Sequence, residues 1–122
     1  MITIFTSKTQ QLGQRGEDEA VVFLMKHGFK IVERNVHSRN GEIDIIAKKK
    51  RIYYFFEVKA GKQGSWFNPA DNLTRDKLKK FHKAVEYYRF KHRFKEYKVQ
   101  GMLVWLHYDE KIPPVIEIID LS

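Results

Sequence analysis

Two neighbouring apolar segments each carry an acidic residue, and the second segment also carries a lysine two positions later. Asp44 lies within "GEIDIIA", and Glu57 and Lys59 lie within "FFEVKA". The polar run "KKKR" between the segments predicts a β-hairpin, and a loop centred between Lys50 and Arg51 sets Asp44 opposite Glu57. Opposite residues of an antiparallel pair have Cβ atoms about 4.5 to 5.5 Å apart.

Two carboxylates at that distance repel, so one of them retains its proton unless a cation lies between them. Mg²⁺ is bound in proteins by one or two carboxylates, waters and substrate phosphate oxygens. Lys59 shares a strand face with Glu57, where it could orient an attacking water or stabilise charge that develops on phosphorus. The pattern favours metal-dependent phosphodiester chemistry. The alternative is a structural ion network in which Lys59 neutralises Asp44 and Glu57.

A third acid lies in the first predicted helix. Apolar residues recur at helical spacing from Leu12 to His27, and Glu17 belongs to the stripe that Ala20 and Leu24 continue. We therefore expect its carboxylate to face the core and the two strands. The alternative is a first-turn carboxylate that complements the helix dipole.

The remaining segments predict the elements that position these side chains. Strands are expected at residues 29–36, 42–47 and 52–59, followed by a loop at 60–72, a helix from about Thr74 into the low nineties, and strands at 102–108 and 115–119. Apolar residues on both strand parities predict that the third and fourth strands are covered on both faces. The order α-β-β-β-α-β-β predicts one α/β domain over residues 1–122, with a mixed central sheet and a core at about 10–108.

Composition points to an anionic partner. The 122 residues carry a net charge of +8, with 23 Lys and Arg against 15 Asp and Glu. Residues 75–98 hold ten of the cations and three acids, so this segment accounts for +7 of that charge. The absence of cysteine excludes disulfides and thiolate metal sites. With no signal-peptide core and no membrane-spanning run in the sequence, we expect a cytoplasmic protein without membrane contact.

The basic helix is the expected binding surface for nucleic acid, because Lys and Arg contact backbone phosphates irrespective of base sequence. Its candidate contacts are Lys77, Lys80, Lys83 and Lys91, with Lys62 after the third strand. Trp66 and Phe67 lie in the predicted loop at 60–72, and they could stack on an unpaired base or fold back into the core. A solvated basic helix that binds nothing is the alternative.

These residues resemble known patterns. Asp44 followed by Glu57, Val58 and Lys59 resembles the D…E-x-K signature of the PD-(D/E)XK nucleases. The segments "GQRGEDEAVVFLMKHGFKIVERN", "GEIDIIA" and "FFEVKAG" resemble the YraN-like family of bacterial proteins. Archaeal Holliday junction resolvases are similar in layout, with a helical Glu before the Asp and the E-x-K.

The resemblance implies a restriction-endonuclease-like fold and a magnesium- or manganese-dependent DNA endonuclease that is selective for branched DNA. By this analogy Glu17, Asp44, Glu57 and the Val58 carbonyl would hold the metal, and Lys59 would be the catalytic lysine. Lys77 matches a family position and is expected to contact phosphate. The family usually carries an Arg soon after E-V-K, where this chain has Ala60 and Gly61.

Other functions remain open at the level of sequence. One is a nucleic-acid-binding protein that retains the nuclease fold and cleaves little on its own. Another is a scaffold that docks on a partner protein through the basic helix. A homodimer would suit a two-fold symmetric junction.

Overall fold

The computed structural model describes residues 8–62, 74–107, 109 and 111–121, with side chains described from Gln14 onward. The elements of these ranges follow the predicted order α-β-β-β-α-β-β, which confirms the α/β assignment. They are α1 (Lys8–Lys26), β1 (Lys30–Ser38), β2 (Gly41–Lys49), β3 (Ile52–Lys62), α2 (Arg75–His92), β4 (Tyr97–Leu106) and β5 (Val115–Asp120).

The strands form one mixed sheet in the spatial order β1-β2-β3-β4-β5. Strands β3 and β4 are parallel, and the other neighbours are antiparallel. Phe55 and Phe56 of β3 point to opposite faces and are both fully buried. The prediction that β3 is a central strand covered on both faces is therefore confirmed.

One helix covers each face of the sheet. Ala20 and Leu24 of α1 pack with Phe56 on one face. Phe81 and Val85 of α2 pack with Phe55 on the other. The apolar stripes of the two predicted helices thus face two separate halves of the core. No helix in the described ranges is long and apolar enough to cross a membrane.

Helix α1 ends where the sequence "HGF" predicts a glycine stop. Gly28 has a φ of 86°, a left-handed conformation that glycine adopts without steric cost. The Phe29 amide donates to the Leu24 carbonyl at 3.0 Å and the Gly28 amide to the Met25 carbonyl at 3.2 Å. This pair of bonds is a Schellman motif. It turns the chain directly into β1.

Helix α2 begins after Thr74, whose Oγ1 accepts a hydrogen bond from the Lys77 amide at 3.2 Å. This is an N-cap, and it satisfies one of the free amides of the first turn. The helix ends at His92, and the next residue, Arg93, caps it with a left-handed φ of 55°. The predicted start of this helix is confirmed.

Three predicted boundaries are wrong by three residues or more, and one of them is the start of α1, which lies at Lys8 rather than Leu12. Strand β4 begins at Tyr97 rather than residue 102, and β3 continues through Lys62 rather than ending at 59. The cause of the two strand differences is the parallel ladder, which runs from the pair Tyr53↔Tyr97 to the pair Lys62↔Leu106. Pairing with β3 extends β4 back over Tyr97 and Val99, which alternate with polar residues and pack in the core on the α2 side. The later part of the predicted loop lies outside the described residues.

Candidate functional site

The predicted register of the β2–β3 hairpin is confirmed, with paired positions that end at Ile45 and Phe56. Beyond that pair, a side-chain contact replaces backbone pairing between β2 and β3. The Val58 amide of β3 donates to Asp44 Oδ2 at 2.7 Å. The Asp44 carboxylate thus occupies the place of a backbone acceptor from β2.

The side-chain alternation of β2 breaks at Asp44. Ile45 packs on the α1 side and Ile46 on the α2 side, as alternation requires. Ile43 should share the side of Ile45, but it packs with the α2 cluster. Asn35, which the β1–β2 register sets opposite Asp44, has a φ of 52°. The regular pleat is therefore interrupted where the Asp44 carboxylate bonds to the neighbouring strand.

Burial and neighbouring acids raise the pKa of Asp44 from 3.8 to about 7. The largest cause is desolvation, and the nearby Glu57 and Glu17 carboxylates act in the same direction. The Val58 hydrogen bond and the Lys59 ammonium lower the pKa without cancelling the increase. A carboxyl of this kind is only partly ionised at neutral pH. A bound cation would favour its charged form.

Glu57 and Lys59 form an ion pair on β3. Lys59 Nζ lies 3.2 Å from Glu57 Oε1, and the side chains are 29% and 19% exposed. Because both side chains keep some contact with solvent, a ligand could reach them. The pair fits a catalytic lysine beside a metal-binding carboxylate, and it also fits the structural ion network that the sequence left open.

Close packing of α1 on β3 positions Glu17. A Cβ atom added at Gly16 would lie 2.5 Å from the Ala60 Cβ, so only glycine allows this approach. The next residue, Glu17, is thereby held on the α1 side of β3, near the C-terminal end of that strand. Its charge contributes to the raised pKa of Asp44. Glu57, Glu17 and Lys59 thus all act electrostatically on Asp44.

Arg34 and Asn35 of β1 are the partners of Glu17 that sequence reasoning missed. Arg34 Nη2 lies 4.0 Å from Glu17 Oε2 and 2.8 Å from Asp18 Oδ1. Burial raises the pKa of Glu17, while the charge of Arg34 and a hydrogen bond with Asn35 oppose the increase. Asn tolerates the left-handed region better than most residues. The "RN" pair after an apolar run was the available signal, but it gave no role for either side chain.

The donor set fits a divalent cation bound through two carboxylates. Asp44 and Glu57 provide the oxygen ligands that hard cations prefer, and Mg²⁺ needs only one or two carboxylates when waters and phosphate complete its shell. Among the described residues, no three acidic or histidine side chains are grouped closely enough to hold a metal by themselves. Direct ligation by Glu17 and by the Val58 carbonyl therefore stays a prediction.

The predicted phosphate contacts of α2 are exposed. Lys77, Lys80 and Lys83 are all exposed to solvent. The Lys80 carbonyl oxygen lies 3.0 Å from the position that a Gly41 Cβ would occupy. Because Gly41 begins β2, the N-terminal half of α2 lies close to the strand that carries Asp44.

Two other candidate contacts have different outcomes. Lys62 is half-buried at the end of β3, on the same strand as Lys59. Trp66 and Phe67 lie outside the described residues, so the choice between stacking on a base and folding into the core stays open.

Comparison with known proteins identifies the family. Residues 16–104 match Uncharacterised protein family UPF0102. A UPF0102 protein of Helicobacter hepaticus is 48% identical over 81 residues, which are 66% of this chain and 71% of the relative. A UPF0102 protein of Nitratiruptor sp. is 42% identical over 98 residues, which are 80% of this chain and 85% of the relative. The chain therefore belongs to the UPF0102 family, and its resemblance to the YraN-like proteins is confirmed.

Proposed function

We propose that this protein is a metal-dependent endonuclease that hydrolyses phosphodiester bonds in DNA, with branched DNA as its preferred substrate. The observation that carries the proposal is the Asp44 carboxylate on the Val58 amide, beside the Glu57–Lys59 pair. Two partly buried carboxylates and an ammonium group meet where the β2–β3 ladder ends. These groups match the needs of phosphodiester hydrolysis.

Each residue has a distinct role in this proposal. Asp44 and Glu57 hold Mg²⁺ or Mn²⁺, and the Val58 amide fixes the orientation of the Asp44 carboxylate. The ion would supply Lewis-acid activation of water and of the phosphate. Lys59 stabilises the charge that develops on the phosphate oxygens or orients the attacking water. Glu17 adds negative charge that favours cation binding.

The basic surface of α2 supports DNA as the substrate. Its lysines would contact backbone phosphates, which fixes the orientation of the duplex without reading base sequence. Selectivity would then come from DNA shape, as a branched substrate requires. A homodimer would match the two-fold symmetry of a four-way junction. We place this activity in the cytoplasm.

A second candidate is a DNA-binding protein that keeps the fold and cleaves little in isolation. The observation that favours it is the Lys59–Glu57 ion pair, which already neutralises both side chains. The described residues also hold no closely grouped set of three metal ligands. In this case the lysines of α2 carry the function.

Cleavage and binding on a substrate panel separate the candidates. Linear duplex, single-stranded and four-way-junction DNA are incubated with Mg²⁺ or Mn²⁺, and binding is measured in parallel with EDTA. The nuclease proposal expects metal-dependent cutting that is fastest on the junction. Salt-sensitive binding without cutting in either metal supports the second candidate. Absence of salt-sensitive binding to all three DNAs contradicts both and favours a protein-docking scaffold.

A further inference from the structure

Helix α2 presents two large aromatic side chains to solvent. Tyr87 is 53% exposed and Phe90 is 84% exposed, whereas the neighbouring Tyr88 is buried. Tyr87 and Phe90 line a cavity of about 700 Å³. A second cavity of about 640 Å³ lies between Tyr87 and the β1–β2 turn, and the two cavities share Tyr87 and Asn40. We call this continuous surface the Tyr87 groove.

Four cations line the Tyr87 groove. They are Arg39, Lys79, Lys83 and Lys91. The three lysines and Tyr87 are spaced four residues apart, so they form one stripe along the helix. Within the described part of the chain, none of the four cations forms an ion pair. Their charges are available to an anionic ligand.

The acid that lines the same groove is already compensated. Both carboxylate oxygens of Glu86 accept hydrogen bonds from Arg89, at 2.9 and 3.1 Å. The Tyr97 hydroxyl donates a third hydrogen bond to Glu86 at 3.1 Å. The net character of the groove is therefore cationic, with exposed rings between the charges.

We infer that the Tyr87 groove binds an unpaired strand of nucleic acid, with bases stacked on Tyr87 and Phe90 and phosphates held by the surrounding cations. Exposed rings among cations are the combination that single-strand-binding proteins use, because every base has a flat π-face. A duplex hides those faces within its own stack. An acidic peptide would satisfy the cations but would leave the ring faces without a partner.

The position of the Tyr87 groove relative to the candidate site explains how single-strand binding there could serve cleavage. The N-terminal half of α2 approaches the start of β2 through Lys80 and Gly41. The Tyr87 groove continues along the same helix from Lys79 to Lys91. A strand that leaves a branch point beside Asp44 could follow it. The inference rests on the proposed function only in taking nucleic acid as the ligand.

The test is equilibrium binding in EDTA, measured by fluorescence anisotropy on three probes of equal length. The probes are an oligothymidylate, a strand of abasic sites and a blunt duplex. Tyr87→Ala combined with Phe90→Ala is expected to weaken oligothymidylate binding about tenfold or more, as loss of base stacking does. Affinity for the abasic strand and the duplex should change by less than about twofold, because their phosphate contacts remain.

Matched variants identify the cause of any loss. Tyr87→Phe retains the ring and is expected to bind the oligothymidylate like the wild type. Met25→Ala removes an apolar side chain of α1 that is 61% exposed, and it should change none of the three affinities. Lys79→Ala combined with Lys83→Ala should weaken binding to all three probes, since each carries phosphates.

Two results would overturn the inference. One is a Tyr87→Ala/Phe90→Ala protein that binds oligothymidylate unchanged, or that loses the same factor on all three probes. The other is oligoglutamate that binds the wild type as tightly as oligothymidylate does. Cleavage without base-dependent binding would refute this inference alone, and base-dependent binding without cleavage would refute the nuclease proposal alone.

Discussion

At the residue scale, the account depends on how one carboxylate is held. Asp44 leaves the regular pleat opposite Asn35, accepts the Val58 amide and lies beside other acids. The Val58 amide fixes the orientation of the Asp44 carboxylate, but this hydrogen bond does not cancel the increase in its pKa. A residue that is well positioned and electrostatically strained is suited to binding a cation.

The first prediction concerns pH and Asp44. The folded state raises the pKa of this carboxyl from 3.8 to about 7, so between these values the folded protein binds the proton more tightly than the unfolded chain does. The free energy of unfolding of the metal-free protein should therefore fall as pH rises from about 4 to 7. Asp44→Asn removes this contribution and should be more stable than wild type at pH 8 by about 1 to 3 kcal/mol.

Urea denaturation in EDTA across pH 4 to 8 measures this difference. Glu117→Gln, an exposed carboxyl change on β5, serves as the control and should track the wild type. A constant difference in the free energy of unfolding between wild type and Asp44→Asn over this range would contradict the prediction. It would mean that Asp44 has the same pKa in the folded and unfolded states.

The second prediction concerns Asn35. Its φ of 52° is costly for most residues and free of cost for glycine. Both Asn35→Gly and Asn35→Ala lose the contact with Glu17, but only the alanine variant adds about 1 to 2 kcal/mol of left-handed strain. Urea denaturation should therefore find the alanine variant less stable than the glycine variant. Equal stabilities would mean that the strand relaxes to an ordinary conformation.

At the element scale, the hairpin could be predicted closely because two apolar segments flank one polar turn. The register that sets Ile45 against Phe56 follows from that turn alone. The break at Asp44 could not be predicted, since it depends on the conformation of Asn35 in a neighbouring strand. The start of β4 was missed because the alternation of Tyr97 and Val99 with polar residues covers only a few positions before the continuous apolar run.

The third prediction concerns the contact between α1 and β3. Gly16→Ala would place a Cβ 2.5 Å from the Ala60 Cβ, and overpacking of this kind costs about 1 to 3 kcal/mol. Ala60→Gly removes the obstructing atom. The double variant should therefore lose less stability than the sum of the two single variants. Additive losses in a double-mutant cycle would contradict close packing at this point.

At the scale of the whole molecule, charge and chemistry are segregated. Most of the net charge of +8 lies in residues 75–98, which include α2, while the candidate acids lie on α1, β2 and β3. Uneven charge could be recognised from sequence, but the approach of α2 to Gly41 could not. That approach brings the basic helix α2 close to the start of β2, the strand that carries Asp44.

The fourth prediction follows from this arrangement. The logarithm of DNA affinity should fall linearly with the logarithm of salt concentration, with a slope of about 0.9 per phosphate contact on duplex DNA. Replacement of Lys77, Lys80 and Lys83 by alanine should reduce the slope by about 2 to 3. Lys111→Ala, which removes one exposed cation outside α2, should leave it unchanged. A triple variant with the wild-type slope would remove α2 from the interface.

The most direct test of the central claim is single-turnover cleavage of a four-way junction with Mg²⁺ or Mn²⁺. Wild type is compared with Asp44→Asn and Lys59→Ala, prepared identically and shown to bind the junction equally in EDTA. The account predicts metal-dependent cutting by the wild type that falls by at least about a hundredfold in both variants. No cutting by the wild type in either metal, or cutting that survives in Asp44→Asn, would contradict it.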